Sequence, residues 1–240
     1  EIASCLVGSE MCIRDRGKFF ADKGIKTAAI YGAFIPNPMH VYRTAGVLAG
    51  LGLSYGGATT EEDVVGLIFA DQGIDLSKIS GDIKIVSYLQ GYGDTTTDEI
   101  NAAIQAAPEA FISVGMATTF FTQQLNAAGI EFSDIDSFTK SNGEAITNGK
   151  LVYLAGKYSS SVGPAFALVM NAINGNVIRD AQGNAVSLSQ NYQVATDSET
   201  FDKFYKNDNG DNPIYSRDTL DQIIGDTVTF DTINEVVASN

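Results

Sequence analysis

The stretch "IKTAAIYGAFIPNPMHVYRTAGVLAGL", residues 25–51, contains the structural unit from which the fold is predicted. Its first part, residues 25–32, is a short apolar run that ends in glycine, which is typical of a buried strand. Two prolines in the loop that follows exclude a helix there. Beyond the loop, apolar residues return at helical spacing and share one face: Val41, Ala45, Leu48 and Ala49. The stretch therefore predicts a strand, a loop and a helix.

The same unit recurs along the chain. Four more apolar runs predict strands at residues 83–89, 110–115, 135–138 and 150–156. Helical stretches lie between them: one has a capping box at Thr96 and Glu99, and another ends at Gly129. Because strands that alternate with helices need parallel crossovers, we expect an α/β fold. Its sheet is open and mostly parallel with helices on both faces, and a C-terminal helical tail follows.

Composition limits the class of protein. The chain has 240 residues, 44% of them hydrophobic, and a formal net charge of −14. That length supports one large domain or two small ones, and no apolar run reaches the roughly 18 residues that span a bilayer. The acidity argues against a nucleic-acid partner. His40 is the single histidine of the sequence, so neither a Ser-His-Asp triad nor a histidine-rich metal site is expected. We expect no catalysis, no cofactor and no metal.

The first sixteen residues differ from the rest. They contain both cysteines, Cys5 and Cys12, at a spacing that matches no zinc or redox signature. Read as codons, "LVGSEMCIRD" resembles a translated transposon-based sequencing adapter. We therefore expect residues 1–16 to be a non-native segment that stays unpacked, and the native chain to continue a longer parent whose export signal is lost.

The topology predicts where a ligand would bind. In open α/β sheets, ligands bind beyond the carboxyl ends of the strands. The segments directly after the predicted strands should therefore cluster along one edge: residues 32–43, 90–94, 114–116, 139–142 and 157–161.

Three stretches resemble a known family. "KGIKTAAIYGAFIPNPMHVYRTAGVLAGL", "PEAFISVGMATTFFTQQLNAAGI" and "IDSFTKSNGEAITNGKLVYLAGKYSSSVGPAFALVMNAINGN" are similar, in that order, to the second lobe and hinge of type 1 periplasmic binding proteins and lac-repressor-type effector domains. The resemblance implies a lobe with its hinge at residues 17–196, a missing first lobe, and a C-terminal helical extension at 197–240. The helix from residue 161 to 173 would belong to the missing lobe, so its apolar face would lack a partner.

The resemblance also implies the ligand-binding residues. Arg43 lies where the family has an arginine that binds ligand hydroxyls or a carboxylate, which suits its bidentate donors. Val114 and Gly115 replace the family's frequent Asn-Asp, so only the backbone of Gly115 and Met116 is available there. The other candidates are the loop residues Phe34 and Asn37, Thr139 in place of an aspartate, and Lys157 in place of a glutamine.

These replacements favour a ligand that bears a carboxylate or phosphate. We expect the solute-binding component of an ABC-type importer, which binds a sugar or a related ligand and docks on a permease. It would be periplasmic or a membrane-anchored lipoprotein, attached only through a lost N-terminal anchor. The alternatives are a lac-repressor-type effector domain and, without a visible nucleophile and base, an α/β enzyme. Two oxygen-rich stretches, 180–184 and 207–213, are interpreted as turns instead of calcium loops.

Overall fold

The computed structural model describes residues 7–34, 36–91, 97–211 and 213–239, with side chains from residue 13 onward. The strands are β1 (Thr27–Tyr31), β2 (Ser54–Tyr55), β3 (Ile79–Ser80), β4 (Lys84–Leu89), β5 (Ala110–Ser113), β6 (Glu131–Asp136), β7 (Leu151–Gly156) and β8 (Gln193–Ala195). The α-helices are α1 (Val7–Asp22), α2 (Pro38–Gly50), α3 (Glu61–Ala70), α4 (Thr97–Gln105), α5 (Ala117–Ala128), α6 (Lys140–Thr147), α7 (Gly163–Ile173), α8 (Ser198–Asn209), α9 (Arg217–Asp221) and α10 (Phe230–Ala238).

Six strands form one sheet in the order β4-β1-β5-β6-β7-β8. The first five in this order pair in parallel, and β8 pairs antiparallel with β7. Strands β2 and β3 form a separate antiparallel pair. The predicted α/β fold class is therefore confirmed, and the carboxyl ends of five strands meet at one edge of the sheet.

Helices cover both faces of the sheet because the strands are apolar on both sides. Along β5, Ala110 and Ile112 belong to one buried cluster, and Phe111 between them belongs to the other. The first cluster also contains apolar side chains of α1, α2 and α3. The second contains side chains of α4, α5, α6 and α8. The sheet is thus the middle of three layers.

Local signals at helix ends behave as their chemistry predicts. The Thr60 side chain caps α3 by accepting from the Asp63 amide at 3.3 Å. Gly129 ends α5 with φ at 73°, the left-handed conformation that glycine adopts without steric cost. Thr96, the first residue of the predicted capping box before α4, lies outside the described residues.

Helix α1 corrects the prediction that residues 1–16 stay unpacked. Ile13 and Arg16 are buried, and together with Gly17 and Phe20 they face α2 and the sheet at helical spacing. A Cβ on Gly17 would lie 2.4 Å from the Val47 carbonyl oxygen, so the backbones of α1 and α2 touch. The contacts that pack α1 join residues far apart in sequence, such as Arg16 with Ser113 and Gly17 with Val47. Residues 1–6 lie outside the described residues, and the adapter origin stays a prediction.

Several elements differ from the sequence prediction. Strand β6 starts at Glu131, whereas the prediction began at 135 because polar Ser133 and Asp134 interrupt the apolar run. The segment predicted as an edge loop at 139–142 is the start of α6. Strand β8 and helix α8 were not predicted, and α8 includes the first residues of the stretch interpreted as a turn at 207–213. The other predicted turn, 180–184, is confirmed as a hairpin bend closed by an Arg179–Ala185 bridge.

The C-terminal tail packs on α7. Ala167 of α7 forms a third buried cluster with Ile223, Ile233 and Val237. Asn171 stabilises the packing of the tail on α7, because its side-chain amide donates to the Ile223 carbonyl and accepts from the Gly225 amide, both at 2.8 Å. None of the described helices combines the length and apolarity needed to cross a membrane.

The resemblance implies an unpartnered apolar face on this helix. The face opposite the tail is apolar and exposed and continues into Val162 directly before α7, whereas Met170 is half-buried. The exposed fraction is 67% for Val162, 48% for Phe166, 57% for Val169 and 71% for Ile173. We refer to these four residues as the exposed α7 face.

Candidate functional site

The carboxyl edge of the sheet brings the predicted segments together. Because β1, β4, β5, β6 and β7 are parallel, the described part of the segment after each of them lies at this edge. Residues 35 and 92–94 of the predicted segments lie outside the described residues. Loop contacts confirm the convergence: the Gly91 amide donates to the Ala33 carbonyl at 2.7 Å, and the Lys157 amide donates to the Asp136 carbonyl at 3.1 Å.

Arg43 lies at the centre of a polar cluster on this edge. Helix α2 directs it onto the ends of β5 and β6, and only 3% of the residue is exposed. Its Nη1 donates to the Val114 carbonyl at 3.0 Å and to Asp136 Oδ2 at 3.2 Å. Its Nη2 donates to Asp136 Oδ1 at 2.6 Å and to the Tyr192 hydroxyl at 2.7 Å. Both terminal nitrogens of the guanidinium are thus engaged within the chain.

Asp136 is the accessible member of this bidentate ion pair. Its side chain is 37% exposed, whereas that of Arg43 is 3% exposed. It ends β6 with φ at 90°, a conformation that non-glycine residues seldom adopt. Strand alternation would place it on the same side as Asp134, but the positive φ turns it toward α2. Strain of this kind often occurs where a side chain must be aimed at a binding site.

Tyr192 and Lys157 complete the cluster. The Tyr192 hydroxyl donates to Asp136 Oδ1 at 3.2 Å, and the ammonium of Lys157 lies 4.8 Å from the centre of the Tyr192 ring. A cation at this distance over an aromatic face is attracted by the ring quadrupole. We call Arg43, Asp136, Tyr192 and Lys157 the edge cluster.

Burial and neighbouring charges shift the pKa values of Arg43 and Tyr192. Burial opposes the charge on Arg43, but the adjoining Asp136 carboxylate outweighs it and raises the pKa of the guanidinium. Burial, reinforced by the Asp136 charge, also raises the pKa of Tyr192. The Arg43 guanidinium therefore stays charged and Tyr192 stays neutral over the physiological pH range.

The loop after β1 contains two predicted ligand residues. Phe34 is exposed, and its amide and carbonyl both lie 3.2 Å from His40 Nδ1. Asn37 caps α2, because its Oδ1 accepts from the Met39 amide at 3.0 Å. His40 is buried, and burial, with the nearby Arg43 charge, lowers its pKa.

The turn after β5 contains two others. Gly115 is buried, and a Cβ there would lie 3.0 Å from the Ala33 Cβ, so a side chain at this position would push Ala33 aside by a few tenths of an ångström. Its amide donates to the Ser113 hydroxyl at 3.1 Å, so this backbone donor is already hydrogen-bonded within the turn. Met116 is exposed at the start of α5.

Thr139 caps α6 in a capping box with Asn142. Thr139 and Met116 line one small cavity of about 320 Å³ between the starts of α5 and α6. At its base, Asp134 Oδ2 accepts from the Thr118 amide at 3.2 Å and from the Asn142 side chain at 2.8 Å. Asp134 therefore supplies the cap that α5 lacks at Met116, which gives it a structural role.

The predicted site residues thus divide into three groups, of which Phe34 and Met116 form one because both are exposed. Arg43, Lys157 and the backbone beside Gly115 meet around Asp136, while Asn37 and Thr139 cap helices. Sequence reasoning missed Asp136 because it lay inside a predicted strand, and it missed Tyr192 because β8 was not predicted. A charged residue near the end of an otherwise apolar strand was the available signal for Asp136.

No cluster of three or more His, Cys, Asp or Glu side chains with metal-binding geometry occurs among the described residues. The comparisons with known proteins identify no relative: no protein-family model matches the chain, and no curated protein matches it significantly. The resemblance to type 1 periplasmic binding proteins therefore stays a prediction from the order of the sequence motifs.

Proposed function

We propose that the chain is a solute-binding lobe of an ABC-type importer and binds a small polar ligand at the carboxyl edge of its sheet. The observation that carries the proposal is the edge cluster, in which a strained, partly exposed carboxylate is held by a buried arginine beside a lysine. This edge is where open α/β sheets bind ligands. The order of the sequence motifs supports the choice of family.

The contacts suggest a division of roles within the cluster. Arg43 and Tyr192 hold Asp136 in one orientation, since their donors already point at its oxygens. Asp136 then accepts hydrogen bonds from ligand hydroxyls, and Lys157 donates to an acceptor or an anionic group. Arg43 is thus a positioning residue in this arrangement, and binding is preorganised because the ordering cost is met during folding.

The role in import implies a partner and a location. A second lobe would close over the edge by a hinge motion, and the closed form would dock on a permease. In this proposal the parent protein is extracytoplasmic and performs no catalysis.

A binding screen with matched variants tests the proposal. Calorimetry with neutral sugars, sugar phosphates and small carboxylic acids should give measurable affinity for at least one class. Asp136→Asn should weaken that affinity at least tenfold, because the amide replaces two acceptor oxygens with one. Asp221→Asn is the control, since its side chain is 66% exposed on α9. Absence of binding by every class, or equal affinity in Asp136→Asn and the unmodified protein, would overturn the proposal.

A further inference from the structure

A cavity formed by the described residues lies beside the edge cluster and is walled by the C-terminal tail. Its volume is about 730 Å³, within the usual range for small-molecule sites. Its walls come from three parts of the chain: the segment after β7, the segment before β8, and the region from Tyr215 to Ser239 that includes α10. Lys157 lines it and thereby joins it to the edge cluster.

The charge of the lining contrasts with that of the whole chain. The chain has 29 acidic and 15 basic residues. Among the described residues that line the cavity, Lys157 is the one cation and none carries a carboxylate. Since acidic side chains dominate elsewhere, this lining is unusually favourable for an anion.

The remaining polar groups suit hydroxyl-rich ligands. Hydroxyls and amides can each donate and accept, and the lining supplies both kinds: Ser161, Ser187, Ser189, Gln190, Asn191 and Asn234. Gln190 also joins two walls, because its Nε2 donates to the Ser161 carbonyl at 2.9 Å.

Helix α10 forms the third wall. Phe230, Asn234 and Val237 face the cavity at helical spacing and so present an aromatic ring, an amide and an aliphatic group in succession. The helix is held in place because Ile233 and Val237 pack in the cluster with α7. Aromatic surface next to polar groups is common where the apolar face of a sugar ring is bound.

We propose that this cavity binds the anionic part of a polyhydroxylated solute, a sugar phosphate or a sugar acid, with Lys157 as its counter-ion and α10 as a specificity wall. The inference rests on the proposed solute-binding function and gives the C-terminal tail a role in it. Phosphate and carboxylate share the chemistry that Lys157 recognises, so the experiment compares both.

The test uses calorimetry with four probes: glucose 6-phosphate, gluconate, glucose and inorganic phosphate. At least one of the two sugar anions should bind at least tenfold more tightly than both glucose and inorganic phosphate. Lys157→Met keeps the aliphatic stem and should weaken that binding at least tenfold. Ser189→Asp places a carboxylate in an exposed part of the lining and should weaken it at least fivefold by charge repulsion. Circular dichroism checks that each variant is folded.

Two control variants make the result specific. Lys140→Met removes an ammonium from a side chain that is 85% exposed, and Ser80→Asp adds a carboxylate at an exposed position of β3. Both should bind the sugar anion as the unmodified protein does.

Equal affinity for glucose and both sugar anions would overturn the anionic assignment and leave solute binding standing. Loss of affinity in Asp136→Asn but not in Lys157→Met or Ser189→Asp would overturn this cavity as the site. Failure of every ligand class would overturn both proposals.

Discussion

Two aspartates separated by one residue show how position controls chemistry at the residue scale. Asp136 is partly exposed and paired with Arg43, whereas Asp134 is fully buried between α5 and α6. One oxygen of Asp134 caps α5 and binds Asn142, and the other oxygen, Oδ1, has no hydrogen-bond partner among the described residues. Burial raises the pKa of Asp134 to about 6, despite the hydrogen bonds from Thr118 that lower it.

This raised pKa predicts a pH-dependent stability. The ordinary pKa of 3.8 applies in the unfolded chain, so between pH 4 and 6 the folded state holds a proton that the unfolded state has lost. Stability from this group is therefore complete below about pH 4 and is lost as the pH rises through 6, by about 2–3 kcal/mol at most. Asp134→Asn should remove this loss and be more stable than the unmodified protein at pH 7.5.

Urea unfolding between pH 4 and 8 measures the difference. The exposed Asp202→Asn, on α8, serves as the control and should follow the unmodified protein at every pH. If Asp134→Asn and the unmodified protein change in parallel across this range, the buried carboxylate does not titrate as described.

At the scale of the elements, the contact between α1 and α2 shows how glycine sets the distance between helices. A Cβ on Gly50 would lie 2.0 Å from the Arg14 carbonyl oxygen, and one on Gly17 would meet the backbone of α2. Backbone atoms cannot move aside as a flexible side chain can, so the two helices can pack this closely only with glycine at both positions. Arg16, on the same helix, donates through Nη1 to the Ser113 carbonyl and ties α1 to β5.

Glycine-to-alanine substitutions test this contact. Gly17→Ala and Gly50→Ala should each destabilise the protein by about 2–3 kcal/mol, because α1 must move away from α2. Gly66→Ala is the matched control: Gly66 lies inside α3, and a Cβ there meets nothing within 4 Å. It should stabilise the protein by up to about 1 kcal/mol through helix propensity alone.

Thermal or urea unfolding distinguishes these outcomes. If Gly17→Ala is as stable as Gly66→Ala, helix α1 is not packed on α2, and the sequence-based exclusion of residues 1–16 regains support.

At the scale of the whole molecule, the notable feature is an apolar face that the fold leaves in solvent. Helix α7 buries Ala167 and Asn171 against the C-terminal tail and presents Val162, Phe166, Val169 and Ile173 outward. Such contiguous apolar surface promotes association in water. That a second lobe covers this helix in a longer parent stays a prediction.

Lysine substitutions on the exposed α7 face test its energetic role. Val169→Lys with Ile173→Lys should change the free energy of unfolding by no more than about 0.5 kcal/mol, since both side chains are already exposed. The double variant should bind less of the dye ANS and show less self-association in sedimentation. Ala167→Lys, on the buried face of the same helix, should unfold or destabilise the protein strongly. A large stability loss in the double variant would mean that this face is packed.

The fold was predictable to the extent that each strand and helix carries its own periodicity. The apolar runs of β1, β4 and β7 and the capping signals of α3 and α5 report local structure, because spacing alone decides which side chains share a face. Strand β6 was predicted only in part, and helix α8 was not predicted as a separate helix. The polar residues of β6 and the charged face of α8 become understandable only from the residues that pack against them in the folded structure.

The candidate site was predictable in its location and less so in its members. Parallel topology places every strand's carboxyl end at one edge, so Arg43 and Lys157 could be assigned to it from sequence order. Asp136 and Tyr192 join them only in three dimensions, through a positive φ at the end of β6 and through a strand that returns antiparallel beside β7.

Hydrophobic spacing and turn chemistry along the chain thus specified the alternating architecture and the sheet edge where the strands end, because these depend on residues close in sequence. Tertiary packing alone decided that α1 belongs to the core, which carboxylate Arg43 holds, and that the C-terminal tail walls a cavity. Those outcomes depend on contacts between residues far apart in the chain, and no local pattern encodes such contacts.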